Sequence, residues 1–191
     1  MKSIEKADYS SAVIREVFED YSFSYCNFDN ATLQDCKFID CKFSDCTLNT
    51  IHISSTVFFN VDFDCSKLMG INWTKSKWEK IILSSPINFY SCNISYSSFF
   101  GLNLPDIKIQ KCKVHNVDFR ESNLSNGDFS HSDLSQSIFI HTKLTEADLS
   151  EAVNYNIDIT LNDVRGAVFT FPEVVNLLKN FEIKIKGIET N

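Results

Sequence analysis

Residues Cys26–Cys46 read CNFDNATLQDCKFIDCKFSDC, and two different counts run along them. Counting cysteines gives Cys26, Cys36, Cys41 and Cys46, a spacing that raises a metal site or a disulfide framework. Counting large apolar residues gives Phe28, Leu33, Phe38 and Phe43, one every five. Five residues of helix turn through about 500° and miss their starting face, and five residues of flat strand end on the opposite face. The period therefore belongs to the path of the chain and not to either regular element.

Followed outward, the series takes in Phe18, Phe23, Phe28, Leu33, Phe38, Phe43, Leu48, Ile53, Phe58, Phe63, Leu68, Trp73, Trp78 and Leu83. After one extra residue in LSSPINF (83–89) it resumes as Phe89, Ile94, Phe99, Leu104, Ile109, Val114, Phe119, Leu124, Phe129, Leu134, Phe139, Leu144 and Leu149. It misses at Asn154 and returns at Ile159, Val164 and Phe169. Thirteen of the 17 phenylalanines and both tryptophans lie on it, where chance would place about one in five, so repetition sets the architecture.

Two residues before each centre stands a slimmer side chain: Cys26, Ala31, Cys36, Cys41, Cys46, Cys92, Cys112, Ser122, Gly127, Ser132, Ala147 and Ala152. Six of the seven cysteines hold this slot, which reads as packing by small, reduced, apolar residues, since successive pentads face different ways and build no tetrahedral cage. Cys65 alone takes an outward slot, as a surface thiol or a reactive one. If centre and minus-two residue both point inward, each pentad is one side of a square and twenty residues make a coil.

With EADLS (146–150), ESNLS (121–125) and HSDLS (131–135), the chain resembles the pentapeptide-repeat family from about Phe18 to Phe169. The resemblance implies an all-β solenoid, a right-handed quadrilateral β-helix with coils stacked about 4.8 Å apart. Roughly eight coils would give a rod on the order of 37 Å long. Counting by twenties, with the extra residue as a bulge, puts Phe18, Phe38, Phe58, Trp78, Phe99, Phe119 and Phe139 in one interior ladder. The same count puts Ile39, Phe59, Phe100 and Ile140 outward on that face, as a partner groove or as scattered exposed residues.

The expected domains are an N-terminal cap over 1–17, the repeat over 18–169 with a one-residue register shift near 84–88, and a cap over 170–191. In TFPEVVNLLKNFEIKIKG (170–187), Pro172 opens a short helix with an apolar stripe of Val174, Val175, Leu177, Leu178 and Phe181, and Phe181, Ile183 and Ile185 then alternate as a half-buried strand. Together Val174, Val175, Leu177, Leu178, Phe181, Ile183 and Ile185 form the expected interface of a tail-to-tail homodimer, capping alone being the alternative. The tail, with Leu177, Leu178 and Gly187, resembles the gyrase-targeting branch of the family, which includes quinolone-resistance and microcin-immunity proteins. No insertion as large as the protruding loops of the loop-bearing members interrupts the repeat.

The net charge of −7 is unevenly spread. Residues 1–66 hold eleven acidic and five basic side chains, and 67–113 hold two and seven. Residues 116–163 then hold Asp118, Glu121, Asp128, Asp133, Glu146, Asp148, Glu151, Asp158 and Asp163 against Arg120 and Lys143. The density of that last block approaches the phosphate charge of duplex DNA, so these nine residues are the expected partner-binding surface; a solvated acidic surface is the alternative. His52, His115, His131 and His141 occupy outward slots without a nucleophile and orienting acid in sequence, and neither a phosphate loop nor a metal motif is present, which argues against an enzyme and against any cofactor. The charged N-terminus and the lack of a long apolar run point to a cytoplasmic protein that does not span membranes, and the acidic net charge argues against direct nucleic-acid binding, for which only the basic Lys67–Lys113 segment speaks. The resemblance implies a DNA mimic that occupies the DNA-binding surface of a type II topoisomerase such as DNA gyrase and protects it from drugs or toxins; the alternative is a scaffold for another partner.

Overall fold

The computed structural model describes residues 1–78, 85–181 and 183–186, and they form a four-sided β-solenoid of about eight turns. Four interior faces follow from the parallel register. Face 1 stacks Ile4, Phe23, Phe43, Phe63, Phe89, Ile109, Phe129, Leu149 and Phe169; the strands Lys2–Glu5, Tyr21–Ser24, Lys37–Ser44, Val57–Asp64, Ile87–Tyr90 and Ile109–Gln110 run along its upper part. Face 2 stacks Tyr9, Phe28, Leu48, Leu68, Ile94, Val114 and Leu134. Face 3 stacks Ile14, Leu33, Ile53, Trp73, Phe99, Phe119 and Phe139, and face 4 carries Phe18, Phe38, Phe58 and Trp78 followed by Leu104, Leu124, Leu144 and Val164.

Corners come every fifth residue, two after each centre. Twenty-five non-glycine residues, together with Gly70, Gly101 and Gly166, take φ between +47° and +72°. Ten of those twenty-five are Asp or Asn, the side chains that tolerate the left-handed region best. The minus-two slot lies inside each corner and does more than fill space. Cys26 N–H donates to Cys46 Sγ (3.4 Å), Cys46 N–H to Ser66 Oγ (3.0 Å), Ser66 N–H to Cys92 Sγ (3.4 Å), Cys92 N–H to Cys112 Sγ (3.3 Å) and Cys112 N–H to Ser132 Oγ (3.0 Å). At other corners the N–H closes the turn on the preceding centre instead, as from Ala31 to Phe28 O and from Gly127 to Leu124 O. All six of these cysteines are buried and free, and burial pushes the thiols of Cys36, Cys41 and Cys46 up, that of Cys46 to about 11. Cys36, Cys41 and Cys46 therefore remain protonated donors at neutral pH.

The register corrects one expectation with wide effect. Between Phe63 and Phe89 the coil is 26 residues long, not 21, as the pairs Lys67↔Asn93 and Asn72↔Ser98 also show. A five-residue period sees only the remainder of one, so a whole extra side plus one residue passes as a one-residue shift. Leu83 lies outside the described residues. The expected ladder of seven aromatics is therefore two ladders: Phe18, Phe38, Phe58 and Trp78 on face 4, then Trp73, Phe99, Phe119 and Phe139 on face 3. Likewise Ile39 and Phe59 belong to face 4 while Phe100 and Ile140 belong to face 3.

Both ends differ from expectation. Residues 2–17 already form a coil, with Ile4 over Phe23 and the Tyr9 ring stacked 4.7 Å from Phe28, so the solenoid starts where a separate cap was expected. At Asn154 the chain shortens its step, pairing Phe139 with Ile157, and Tyr155 and Ile157 become the buried residues. Glu173–Phe181 is a 3₁₀ helix, three residues per turn, and Ile183–Ile185 is exposed and outside any strand, because no neighbouring strand pairs with it among the described residues. No described helix is long and apolar enough to cross a membrane.

Phe119 is fully buried, with ring centroids 5.3 Å from Phe99 and 5.1 Å from Phe139. Phe119→Ala should cost about 3 to 5 kcal/mol in urea unfolding, and Phe100→Ala, at an exposed position one residue along, less than about 1 kcal/mol. Equal losses would refute this inward register.

Candidate partner-binding surface

The residue just before each centre points outward, and at most positions where it is Asp or Asn one oxygen accepts the N–H two residues on; Asp62, Asn88 and Asn103 instead bond to neighbouring coils. Asp118 Oδ1 accepts from Arg120 N–H, Asp128 from Ser130, Asp133 from Ser135, Asp148 from Ser150, Asp158 from Thr160 and Asp163 from Arg165, at 2.8–3.4 Å. Asn27, Asn93 and Asn123 do the same, so this bond needs the oxygen and not the charge. Six of the nine expected surface acids thus hold the backbone with one oxygen.

The nine do not form one stripe. Five residues along the chain turn a corner, so an acidic block is dealt out around the rod. Asp118 and Glu121 lie on and beside face 3, Asp133 on face 2, Asp163 on face 4, and Asp158 lines a cavity with Ile138, Ile140, Leu161 and Asn180. Two of them are neutralised by arginine where they stand, and a third is hydrogen-bonded to a histidine. Arg120 Nη2 is 2.8 Å from Asp118 Oδ2, Arg165 Nη2 is 2.7 Å from Asp163 Oδ2, and His115 Nε2 is 2.7 Å from Asp133 Oδ2. The hydrogen bond from Arg120 holds the Asp118 carboxyl below the usual range, and that from Arg165 does so for Asp163. Burial would raise Asp133, but hydrogen bonds from Ser135, Asn154 and His115 outweigh it and lower its pKa to about 2.

The remaining four, Asp128, Glu146, Asp148 and Glu151, gather at the tail end of face 1. Asp128 pairs with Asp148 across adjacent coils, Glu146 and Glu151 occupy the two corners flanking Asp148, and Asp148 is one coil from the last strand, Val168–Phe169. Among the described residues none of the four has a cationic atom within 4.0 Å, and Asp128 Oδ2 instead accepts from the Gln110 amide at 2.5 Å. Asp106 stands two coils up the corner column from Glu146, bonded to the intervening Asn126. Sequence reading missed Asp106 because it stands outside the acidic block, and counting corners in twenties would have found it. Further up face 1, Asp62 and Asp64 are partnered by Asn88 and Lys42, and Asp20 by the N-terminal ammonium. The basic segment has no face of its own: Lys67 and Lys113 lie on face 2, Lys108 and Lys111 on and beside face 1, Lys77 on face 4.

The tail residues divide by row. In a 3₁₀ helix every third residue aligns, so Val174 and Leu177 turn inward, Val174 packing on the core and Leu177 buried. Val175 is half-buried, and Leu178, Phe181, Ile183 and Ile185 are exposed, as is Phe171 beside them. Capping and display are therefore done by different residues of one helix. Of the other singled-out residues, His52, His131 and His141 are exposed, and Cys65 is an exposed corner residue whose Sγ donates to Asp64 Oδ1 at 3.4 Å. That hydrogen bond raises the Cys65 thiol, which makes it less reactive than a free surface cysteine.

Because Asp133 is held near 2 when folded against 3.8 ordinarily, its stabilisation is full above about pH 4 and is lost as pH falls towards 2. Asp133→Asn should therefore lose less stability than wild type between pH 4 and pH 2 in urea titrations. Parallel curves would show that the contacts of Asp133 do not stabilise the folded rod.

A family model described as a pentapeptide repeat region matches residues 16–86 and 71–149. No curated protein matches the sequence. Among solved structures, a trypsin-treated variant of QnrB1, a plasmid-mediated fluoroquinolone resistance protein, superposes with a TM-score of 0.65 at 18% identity, covering 97% of this chain and 89% of that one. A second trypsin-treated variant gives 0.67 at 16% identity over 96% and 99%. Full-length QnrB1 gives 0.52 at 18% identity over 95% and 100%. At these identities the likeness is one of fold.

Proposed function

The chain belongs to the pentapeptide-repeat family, and from that premise we propose that it is a DNA-mimicking binding protein that occupies the DNA-binding surface of a type II topoisomerase such as DNA gyrase and shields it from drugs or toxins. The observation that carries this reading is the cluster of Asp128, Glu146, Asp148 and Glu151, four carboxylates without a cation at contact distance among the described residues. Stacked carboxylates one coil apart repel by about 1 kcal/mol in water, a standing cost that a basic partner would relieve. A surface built to meet phosphate-binding residues needs carboxylates held apart from internal partners, and of the five acids that point elsewhere three, Asp118, Asp133 and Asp163, are paired, while Glu121 and Asp158 stand singly on other parts of the rod. The fold likeness to a fluoroquinolone resistance protein agrees with this reading. Binding, not catalysis, is the function assigned.

The active form in this proposal is a tail-to-tail homodimer through Val175, Leu178, Phe181, Ile183 and Ile185, which brings two acidic clusters near the middle of a longer rod. A scaffold for some other partner is favoured by one observation, that acids also ring the remaining faces. The two readings part in a purified gyrase assay: the mimic should inhibit supercoiling or relieve drug-stabilised cleavage, and a scaffold should do neither.

Two variants test the parts. Replacing Asp128 and Asp148 by Asn and Glu146 and Glu151 by Gln keeps the backbone hydrogen bonds and should weaken gyrase binding at least about tenfold at low salt, with a shallower dependence of affinity on salt. Asp118→Asn with Asp133→Asn should leave both nearly unchanged, and the reverse pattern would move the site to another face. Leu178→Glu should give a folded monomer in sedimentation, because it lies on the outer row, whereas Leu177→Glu should also destabilise the last coil. A monomeric wild type would overturn the dimer.

A further inference from the structure

Face 4 carries a second outward feature, remote in character from the acidic cluster. Ile39, Val57, Phe59 and Trp78, with Lys37 and Lys77, line an open cavity of about 350 Å³. The Phe59 ring is half exposed, while the Trp78 indole is fixed by its N–H donating to Trp73 O at 2.9 Å and by packing 6.4 Å from Phe58. Lys37 lies beside Val57 in register, and Lys77 N–H donates to Thr56 O one coil on, so the outward column runs lysine, valine, lysine. The two lysines are thus two coil spacings apart, about 9.6 Å, across an apolar floor. Among the described residues neither has a carboxylate within 4.0 Å.

We propose that this groove docks an acidic, extended segment of a partner protein in the polyproline II conformation, with two carboxylates three residues apart and an apolar side chain between them. In that conformation residues three apart share a side of the helix and stand about 9.3 Å apart, which matches the lysine spacing, whereas a β-strand puts residues three apart on opposite sides. The apolar residue would rest on Phe59 and Trp78. Such a segment is repelled by the face 1 cluster, so the two sites take different partners, and one rod can hold a basic surface and an acidic segment at once.

The test is fluorescence anisotropy of the full chain with a labelled hexapeptide reading proline, aspartate, proline, leucine, aspartate, proline. Saturable binding is expected, weakened about tenfold or more by Lys37→Glu with Lys77→Glu and by Phe59→Ser, and unaffected by the Asn and Gln substitutions on face 1. Circular dichroism should show all these variants folded, since the changed side chains point outward; Lys77→Gln alone, a milder change, should still weaken binding measurably. A peptide with lysine in place of aspartate should not bind. The proposal is overturned if the hexapeptide does not bind, if the lysine variants bind it as wild type does, or if a six-nucleotide oligothymidylate occupies the groove more tightly. It is equally overturned if Phe59→Ser abolishes self-association in sedimentation, which would make a second copy the occupant.

Discussion

A solenoid of this kind depends on where one backbone N–H goes at every corner. Turning ninety degrees in five residues puts a left-handed residue at each corner and aims the next N–H into the rod, where an unpaired donor would cost about 1 to 3 kcal/mol. Three solutions are used: closure on the carbonyl three residues back, donation to a thiol, hydroxyl or amide oxygen of a side chain in the coil above, or donation to that coil's backbone carbonyl, as from Val61 to Pro86 O. The second solution also returns a bond, since Cys112 Sγ donates to Phe89 O and Ser132 Oγ to Ile109 O. Small size and hydrogen-bonding capacity are therefore required together, which is why Cys and Ser interchange along one column and why six thiols are buried without forming a disulfide. Gly127 marks the limit of size, because a Cβ there would stand 2.8 Å from Leu124 O.

With the corners satisfied, centre stacks on centre and the aromatic columns follow. The centres, the minus-two slot and the four-sided path could be read from the sequence because a period of five fits nothing else, and the buried centres agree residue by residue from Phe23 to Trp73 and from Phe89 to Leu149. What could not be read was anything that depends on the absolute count. A five-residue period is blind to the insertion of a whole side, so the coil of 26 residues moved every later residue by one face relative to the simple count. The same blindness explains the acidic surface: composition by segment reports charge along the chain, while charge on a face is set by position modulo one coil. Nine acids adjacent in sequence become four together and five dispersed. At the tail the misreading was of pitch, since an apolar stripe drawn for 3.6 residues per turn merges Leu177 and Leu178, and three per turn separates them into an inner and an outer row.

The outward Asp positions show how this fold separates architecture from recognition. One carboxylate oxygen is committed to the N–H two residues on, a task Asn performs as well at Asn93 and Asn123. The second oxygen and the charge are left over. The identity of that residue can then vary between Asp and Asn without disturbing the turn, so the electrostatic pattern of each face is free to follow the partner. In the columns above the acidic cluster amides interleave with acids, Asn60 bonding to Asp40 and Asn88 to Asp62, which removes repulsion between coils. At Asp128 and Asp148 acid stands against acid, and the interleaving stops where the proposed partner site begins.

This arrangement sets opposing forces at the tail. In the proposed dimer two copies meeting there would bring two clusters of like charge towards each other, but the charges lie on the sides of the rod and the apolar row lies at its end. Beyond a Debye length of about 8 Å at physiological salt the clusters are largely screened from one another, whereas burial of Leu178 and Phe181 contributes about 1.5 to 3 kcal/mol for each side chain fully covered. In such a dimer the apolar contact would outweigh the repulsion, and association would leave the carboxylates exposed along the flanks. A partner that binds both clusters would bridge the two copies and add to the stability of the pair, so the acidic surface and the outer row of the tail helix act on the same equilibrium although no residue belongs to both.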